Sequence, residues 1–313
     1  MAATGSRAQQ STNLPRVGWL WQGKPTGNPH EVTGFRQGLK DFGYVEGQNV
    51  IVDYRFAEGR SERIVDLTNE LVRLRPDVLA VVGSMVMRAI RDMTGNTPVV
   101  LLSADPVGAG FVASLARPGG HITGVSMMQG SGGLTGKRIE LLKDALPNAV
   151  RIGMIFNPDF PVAVASVAQA QELAGRRGLT VLQAPVRQFN ELDAAVGKLA
   201  QDSVHAVHVE PVFPIVGSQP ETGELLLRYR IPTVSELRLL IESGGLISYG
   251  PNIFDASRRI AYFVDRILKG ANPADLPVEQ ASKLELMINL RTARLLDVEL
   301  PPILLASADE VIE

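Results

Sequence analysis

Two carboxylates and several short polar side chains stand where apolar runs of this chain stop. Asp105 follows Val99-Val100-Leu101-Leu102-Ser103-Ala104, and Glu210 follows Ala206-Val207-His208-Val209 and precedes Pro211. Ser84 closes the run Val78 to Gly83, and Asn157 closes the run Ile152 to Phe156 just before Pro158. Short apolar runs bounded by breakers read as buried strands. Ligands of open α/β sheets sit beyond the carboxyl ends of such strands. Asp105 and Glu210 are therefore expected to meet across a cleft. Paired carboxylates can exchange protons with a substrate; they equally hold a ligand amine or cap a helix.

Other chemistry lacks its parts. There is no cysteine, which removes thiol nucleophiles, thiolate metal sites and disulfides. No G-x-S-x-G elbow supports a serine hydrolase. The four histidines form no H-E-x-x-H pattern. His205 and His208, three apart on a strand, point to opposite faces and read as structural. Gly130 to Arg138 invites comparison with a phosphate loop, but Ser131 stands where its first glycine belongs and Arg138 where its Ser or Thr belongs. That stretch reads as a flexible connection lining the cleft. The chain is thus expected to bind rather than catalyse, with no metal and no cofactor.

Two aromatic positions add candidate ligand contacts. Trp19 and Trp21 share one strand face, so Trp19 packs in the core while Trp21, at the tip before a Gly/Pro loop, stacks on a ligand. Tyr249 lies in Gly245 to Pro251, between glycine breaks, and either touches the ligand or packs a hinge.

The elements that must carry these residues alternate. Strands are expected at Val17–Trp21, Val50–Phe56, Val78–Val82, Val99–Leu102 and Ile122–Val125. Between them, Phe35, Leu39 and Phe42, and then Ile64, Leu67, Leu71 and Leu74 recur at helical spacing, the second set behind a Ser61 cap. Such alternation, with apolar rather than alternating strands, implies a parallel, doubly wound sheet. The pattern then restarts. Arg151-Ile152-Gly153-Met154-Ile155-Phe156 echoes Arg16-Val17-Gly18-Trp19-Leu20-Trp21, and further strands follow at 180–184, 206–209 and 232–234. Ile260, Phe263, Val264, Ile267 and Leu268 mark a helix capped by Asp255 and closed by Gly270. Lys283 to Asn289 reads as one more strand.

Length and composition agree with two α/β domains. A chain of 313 residues favours two units, and 45% apolar residues can fill their cores. A net charge of −2 without a basic run argues against nucleic acid as a partner. No apolar stretch approaches the roughly 20 residues of a membrane span. Residues 1–14 are polar and read as a disordered leader or an expression remnant, with Arg7-Ala8-Gln9-Gln10 like the tail of a signal cleavage region.

Several stretches together resemble one family. They include Gly43-Tyr44-Val45-Glu46-Gly47-Gln48-Asn49-Val50, Asp105-Pro106-Val107-Gly108, Ser114-Leu115-Ala116-Arg117-Pro118-Gly119-Gly120, Gly244 to Pro251, Leu276-Pro277-Val278-Glu279-Gln280, Ile288 to Ala293 and Ala308 to Glu313. The chain is similar to ABC-transporter substrate-binding proteins of the group that includes the bacterial tryptophan/tyrosine-binding lipoproteins. The resemblance implies a type I periplasmic-binding-protein-like fold: two Rossmann-like α/β lobes joined by three crossings. It assigns 15–122 plus 251–277 to the first lobe and 123–250 plus 278–313 to the second, hinged near Thr123 and Ser248. Trp21, Ser84, Ser103 and Asp105 would then reach a small polar or aromatic ligand from the first lobe. Asn157, Glu210 and Glu236 would reach it from the second, with Tyr249 at a crossing. The implied partners are that ligand and an inner-membrane permease with its cytosolic ATPase, served by a periplasmic monomer. A lipobox cysteine is absent, so a free periplasmic protein is expected. A ligand-sensing effector domain or an enzyme such as a racemase on the same fold is the alternative.

Overall fold

The computed structural model describes residues 14–25, 29–127, 134–211 and 214–313. Nearly every apolar run becomes a strand, and the helices between them cover both faces of two sheets. The first lobe runs β1 (Arg16–Trp21), α1 (His30–Asp41), β2 (Ile51–Phe56), α2 (Arg63–Arg73), β3 (Val78–Val82), α3 (Ser84–Ile90), β4 (Val99–Ser103) and β5 (Ile122–Ser126). The second continues with α4 (Thr135–Ala145), β6 (Arg151–Phe156), α5 (Pro161–Gly175), β7 (Thr180–Pro185), α6 (Leu192–Gln201), β8 (Ala206–Val209), α7 (Gln219–Arg228), β9 (Thr233–Ser235), α8 (Arg238–Glu242) and β10 (Ile247–Pro251). The chain then returns as α9 (Ile253–Leu268) and β11 (Glu279–Gln280). It ends in β12 (Leu284–Asn289), α10 (Leu290–Leu296), α11 (Pro302–Ala306) and β13 (Glu310–Ile312).

The six-stranded sheet has the order β11-β5-β4-β3-β1-β2, all parallel. The seven-stranded sheet has the order β13-β12-β10-β9-β8-β6-β7. It is parallel except where β12 pairs antiparallel with β10. That exception has a topological cause. β12 enters its sheet directly from β11 in the other lobe, so it starts at the end where its neighbours finish.

Three passes join the sheets: after β5, between β10 and α9, and between β11 and β12. β5 and β11 both pair within the first sheet. The boundaries expected at 122/123 and 277/278 are corrected accordingly, since each would cut a strand from the sheet it bonds to. Thr123 lies within β5, its hydroxyl donating to the Leu276 carbonyl oxygen at 2.7 Å, so the first pass begins after Ser126.

The echo between Arg16-Val17-Gly18 and Arg151-Ile152-Gly153 has a packing cause. β1 lies between β3 and β2, and β6 lies between β8 and β7, the same place in each sheet. A Cβ on Gly18 would come within 2.7 Å of Leu79, and one on Gly153 within 2.7 Å of Leu199. Each glycine makes room for a leucine packed on its sheet.

Each sheet separates two apolar layers. In the first lobe Trp19, Phe35 and Phe263 fill one and Leu20, Leu71 and Met87 the other. Burying each such side chain fully contributes about 1.5–3 kcal/mol. α9 reaches back across the chain to this core, its backbone at Phe254 and Arg258 pressed onto Gly34 and Gly38 of α1. Its cap is Asn252, whose side chain accepts the Asp255 N–H at 2.8 Å, rather than the expected Asp255. Ser61 likewise does not cap α2, which starts at Arg63 with no side-chain cap.

Candidate functional site

All three passes leave or enter at one end of each sheet, and at that end the parallel strands finish. The carboxyl ends of β1, β3 and β4 therefore face those of β6, β8 and β9 across the gap between lobes. Ser84, Ser103, Asp105, Asn157, Glu210 and Glu236 all follow these strands or lie at their last residue.

In the first lobe the ends are tied to one another. The hydroxyls of Ser84 and Ser103 share a hydrogen bond of 2.8 Å. Ser126 donates to the Ala104 carbonyl oxygen at 3.1 Å. Asp105 is half-buried, and its Oδ1 accepts the Gly108 N–H at 2.8 Å. Its carboxylate thus shapes the turn after β4. Trp21 departs from expectation. It is 6% exposed, sits edge-on to Phe56 at 6.3 Å between ring centroids, and is covered by Gly23. It shares the Trp19 core layer and offers little open ring face.

The second lobe holds a buried polar cluster. Arg138, one turn into α4, is 2% exposed. Its Nε donates to the Tyr249 carbonyl oxygen at 2.7 Å, and its Nη2 pairs with the Glu236 carboxylate. The Tyr249 ring itself packs on the second lobe's core. Next to this pair, the Ser166 hydroxyl donates to Glu210 Oε1 at 2.6 Å and lies 2.6 Å from the Thr135 hydroxyl. Burial pushes the Glu210 carboxyl up to about 7, against the pull of Ser166 and Arg138. His208 Nδ1 lies 3.4 Å from Glu210. Its complete burial, reinforced by Arg138, holds its pKa down at about 3, so its ring is neutral. Asn157 is buried, and its Oδ1 accepts the Asp159 N–H at 2.9 Å. His205 is separate, its Nδ1 accepting the Arg151 N–H at 3.4 Å.

Asp105 and Glu210 are thus each engaged within their own lobe. Sequence reasoning passed over Arg138, Thr135 and Ser166, although a signal existed. Thr135 and Arg138 fall in phase with buried Ile139, Leu142 and Ala145 along α4, and Ser166 with Ala163, Val167 and Ala170 along α5. A polar residue on an apolar stripe is where a buried network begins. Residues 130–133 of the glycine-rich stretch lie outside the described residues, as do 1–13 of the polar leader.

The lobes touch on the side away from the crossings. Gly59, in the loop after β2, lies against Gly217, in the loop after β8. Beside them Lys24 Nζ is 3.3 Å from Glu221 Oε1. Gln22, Gly59, Ser61, Ile64, Met85 and Gly217 line a shallow recess between the lobes, with room for little more than a water molecule.

Comparison with known proteins gives a consistent picture. A family model described as ABC transporter substrate binding protein matches residues 26–312. A protein named tyrosine-binding protein from Clostridioides difficile is 25% identical over 267 residues, 85% of this chain and 76% of its own. A solved Streptococcus pneumoniae ABC domain in complex with L-Trp is 26% identical with a TM-score of 0.84, covering 96% of this chain and all (100%) of its own. A conserved domain protein of Vibrio cholerae O1 has the same identity, 26%, and TM-score, 0.84, covering 95% of this chain and 99% of its own.

Proposed function

The chain belongs to the ABC transporter substrate-binding protein family, and we propose that it is the receptor of an importer. It captures a small solute between its lobes, closes on it by hinge motion at the three passes, and delivers it to a membrane permease driven by a cytosolic ATPase. The solute leaves covalently unchanged. Proteins of this family are extracytoplasmic, and no helix among the described residues is long and apolar enough to cross a membrane. The receptor acts as a periplasmic monomer and takes no nucleic acid.

One observation carries this reading: the carboxyl ends of both sheets face a single gap, and every connection between the lobes lies beside that gap. Ser84, Ser103 and Asp105 line it from the first lobe, and Asn157, Glu210 and Glu236 from the second. Trp21 and Tyr249 support the walls from behind. The relatives named for tyrosine and tryptophan support an amino acid as the solute.

A thermal-shift screen of the purified protein against amino acids, aromatic acids and small carboxylates tests it. A ligand at 100-fold excess over its Kd adds about 2.7 kcal/mol of stability, a clear rise in melting temperature. Sustained chemical conversion of a stabilising compound would refute the receptor reading.

A further inference from the structure

Asn252 is bonded to both lobes at once. It stands in the second pass, between β10 of the second lobe and α9 of the first. β10 and β12 pair antiparallel as far as Pro251 and Leu284. One more backbone bond continues that ladder, from the Asn252 N–H to the Lys283 carbonyl oxygen at 2.9 Å. The second and third passes therefore leave the second sheet as one two-stranded ribbon, and Asn252 sits on its last rung.

The Asn252 side chain serves a different lobe with each atom. Its Oδ1 accepts the Asp255 N–H of α9 at 2.8 Å. Its Nδ2 donates to Glu285 Oε2 of β12 at 3.1 Å. The pleat explains the reach. Gly250 stands opposite Glu285, and residues two apart on a strand share a face. With no side chain on Gly250, the carboxylate leans along the ribbon to Asn252. Glu285 lies 3.8 Å from Arg238, which also holds Glu310 of β13. A second tie crosses the same joint, Lys283 Nζ to Asp255 Oδ2 at 2.9 Å. Its lysine is exposed, which makes it weak. The bond from Asn252 is half-buried and ends on a charge, which makes it the stronger tie.

A carboxamide is planar, with its oxygen and nitrogen fixed relative to each other. It can serve α9 and β12 together only over a narrow range of angles between them. At the angle in this structure the lobes also touch on the far side, Gly59 against Gly217. Resting on the receptor reading above, we propose that Asn252 is a positioning residue of the hinge, its two-sided bond holding the lobes at the angle where they meet. Opening the cleft breaks the Glu285 half of that bond and leaves the cap on α9 intact. Asn252 acts on capture through the angle between the lobes and touches no solute.

Spin-label distance measurements on the full chain test this without a solute. The sequence contains no cysteine, so Asp66→Cys on α2 and Glu224→Cys on α7, both exposed, give one clean pair across the mouth of the gap. The otherwise unchanged protein is expected to populate mainly the short distance. Asn252→Ala loses both halves of the bond. Asn252→Asp keeps the cap, since aspartate caps as well as asparagine, but sets a carboxylate against Glu285. Each should lower the ratio of short to long distances about tenfold, the lower end for a hydrogen bond to a charged group. Asn252→Asp combined with Glu285→Gln reverses donor and acceptor and should restore the short distance. A role confined to capping α9 would leave Asn252→Asp unchanged and give the double variant nothing to rescue. Gly217→Leu, which wedges the lobes from the other side, is the control. If it lengthens the distance while Asn252→Asp does not, or if the unsubstituted hinge shows only the long distance, the proposal is overturned and the receptor stands. A distance that stays short in every variant, Gly217→Leu included, removes the hinge and overturns both.

Discussion

Gly59 and Gly217 meet across the two lobes so closely that a Cβ on Gly59 would lie 3.3 Å from the Gly217 carbonyl oxygen. Gly59 follows β2, the edge strand of the first sheet. The passes between lobes leave from β5 and β11 at its opposite edge. The lobes are thus joined by chain on one side and held by contact on the other. Gly59 has a φ of +77°, which side chains with a Cβ rarely adopt, so its own substitution would strain the loop as well as the contact.

Gly217 has no such backbone constraint, and a Cβ there would lie 3.4 Å from Gly59 Cα. Gly217→Leu should wedge the lobes apart while each still folds. We expect an increased radius of gyration in small-angle scattering and solute affinity about tenfold weaker, about 1.4 kcal/mol of closure. The neighbouring Lys24–Glu221 pair is exposed, so Lys24→Glu should cost at most about 1 kcal/mol of closure and lose its effect in high salt. The swap Lys24→Glu with Glu221→Lys should restore it.

Arg138 ties the start of α4 to the end of β9 and to β10, the strand that leads into the second pass. Arg138→Met would leave the partly buried Glu236 and the Tyr249 carbonyl without their donor. Breaking a buried pair from one side costs about 3–5 kcal/mol. Urea denaturation should show that loss, and the double variant with Glu236→Gln should recover part of it. Arg138→Lys should not rescue, because a single ammonium cannot serve both partners with the guanidinium's geometry.

Glu210 also sets a pH dependence of stability. Its folded-state pKa, about 7, lies above the ordinary 4.5, so the folded protein holds more protons between these values. The stability it contributes is full below about 4.5 and is lost as pH rises through about 7. Glu210→Gln should match the wild type near pH 4 and exceed it by about 3 kcal/mol at pH 8 in urea melts. Glu31, which burial also raises to about 7, is present in both proteins and drops out of the difference. His208 works in the other sense. Its pKa is lowered to about 3 from 6.5, so its contribution is present above 6.5 and lost as pH falls toward 3. A His208→Asn variant should therefore differ from the wild type in pH slope on the acid side.

Asp105 holds a turn as well as facing the gap. Asp105→Ala removes the acceptor for the Gly108 N–H and should cost about 1 kcal/mol of stability. Asp105→Asn keeps that acceptor and removes the charge. A solute that touches the carboxylate should bind Asp105→Asn more weakly, with an unchanged melting temperature. Calorimetry beside thermal denaturation separates the two roles.

Much of the fold was legible because its signals are local. Val78 to Val82 and Val99 to Ser103 are apolar runs with polar tips, and they became adjacent parallel strands ending at hydrogen-bonded Ser84 and Ser103. The amphipathic period of Ile260 to Leu268 gave α9. Helix starts were less legible: Asn252 rather than Asp255 caps α9, because the cap depends on where the strand before it releases the chain. The short β11 and β13 were not recognised as strands, since two or three residues carry no period and pair only because a neighbour is already in place.

The amino-acid order by itself determined two α/β lobes, the polar strand tips and the family likeness, because hydrophobic period and chain breaks act over a few residues. The tertiary structure alone decided which charges meet. It placed Arg138 against Glu236, left Glu210 under two hydroxyls, covered Trp21, and brought Gly59 to Gly217. Those pairings join residues as many as 158 positions apart in the chain. They follow from strand order and helix placement, and burial then fixes how much each unneutralised charge costs.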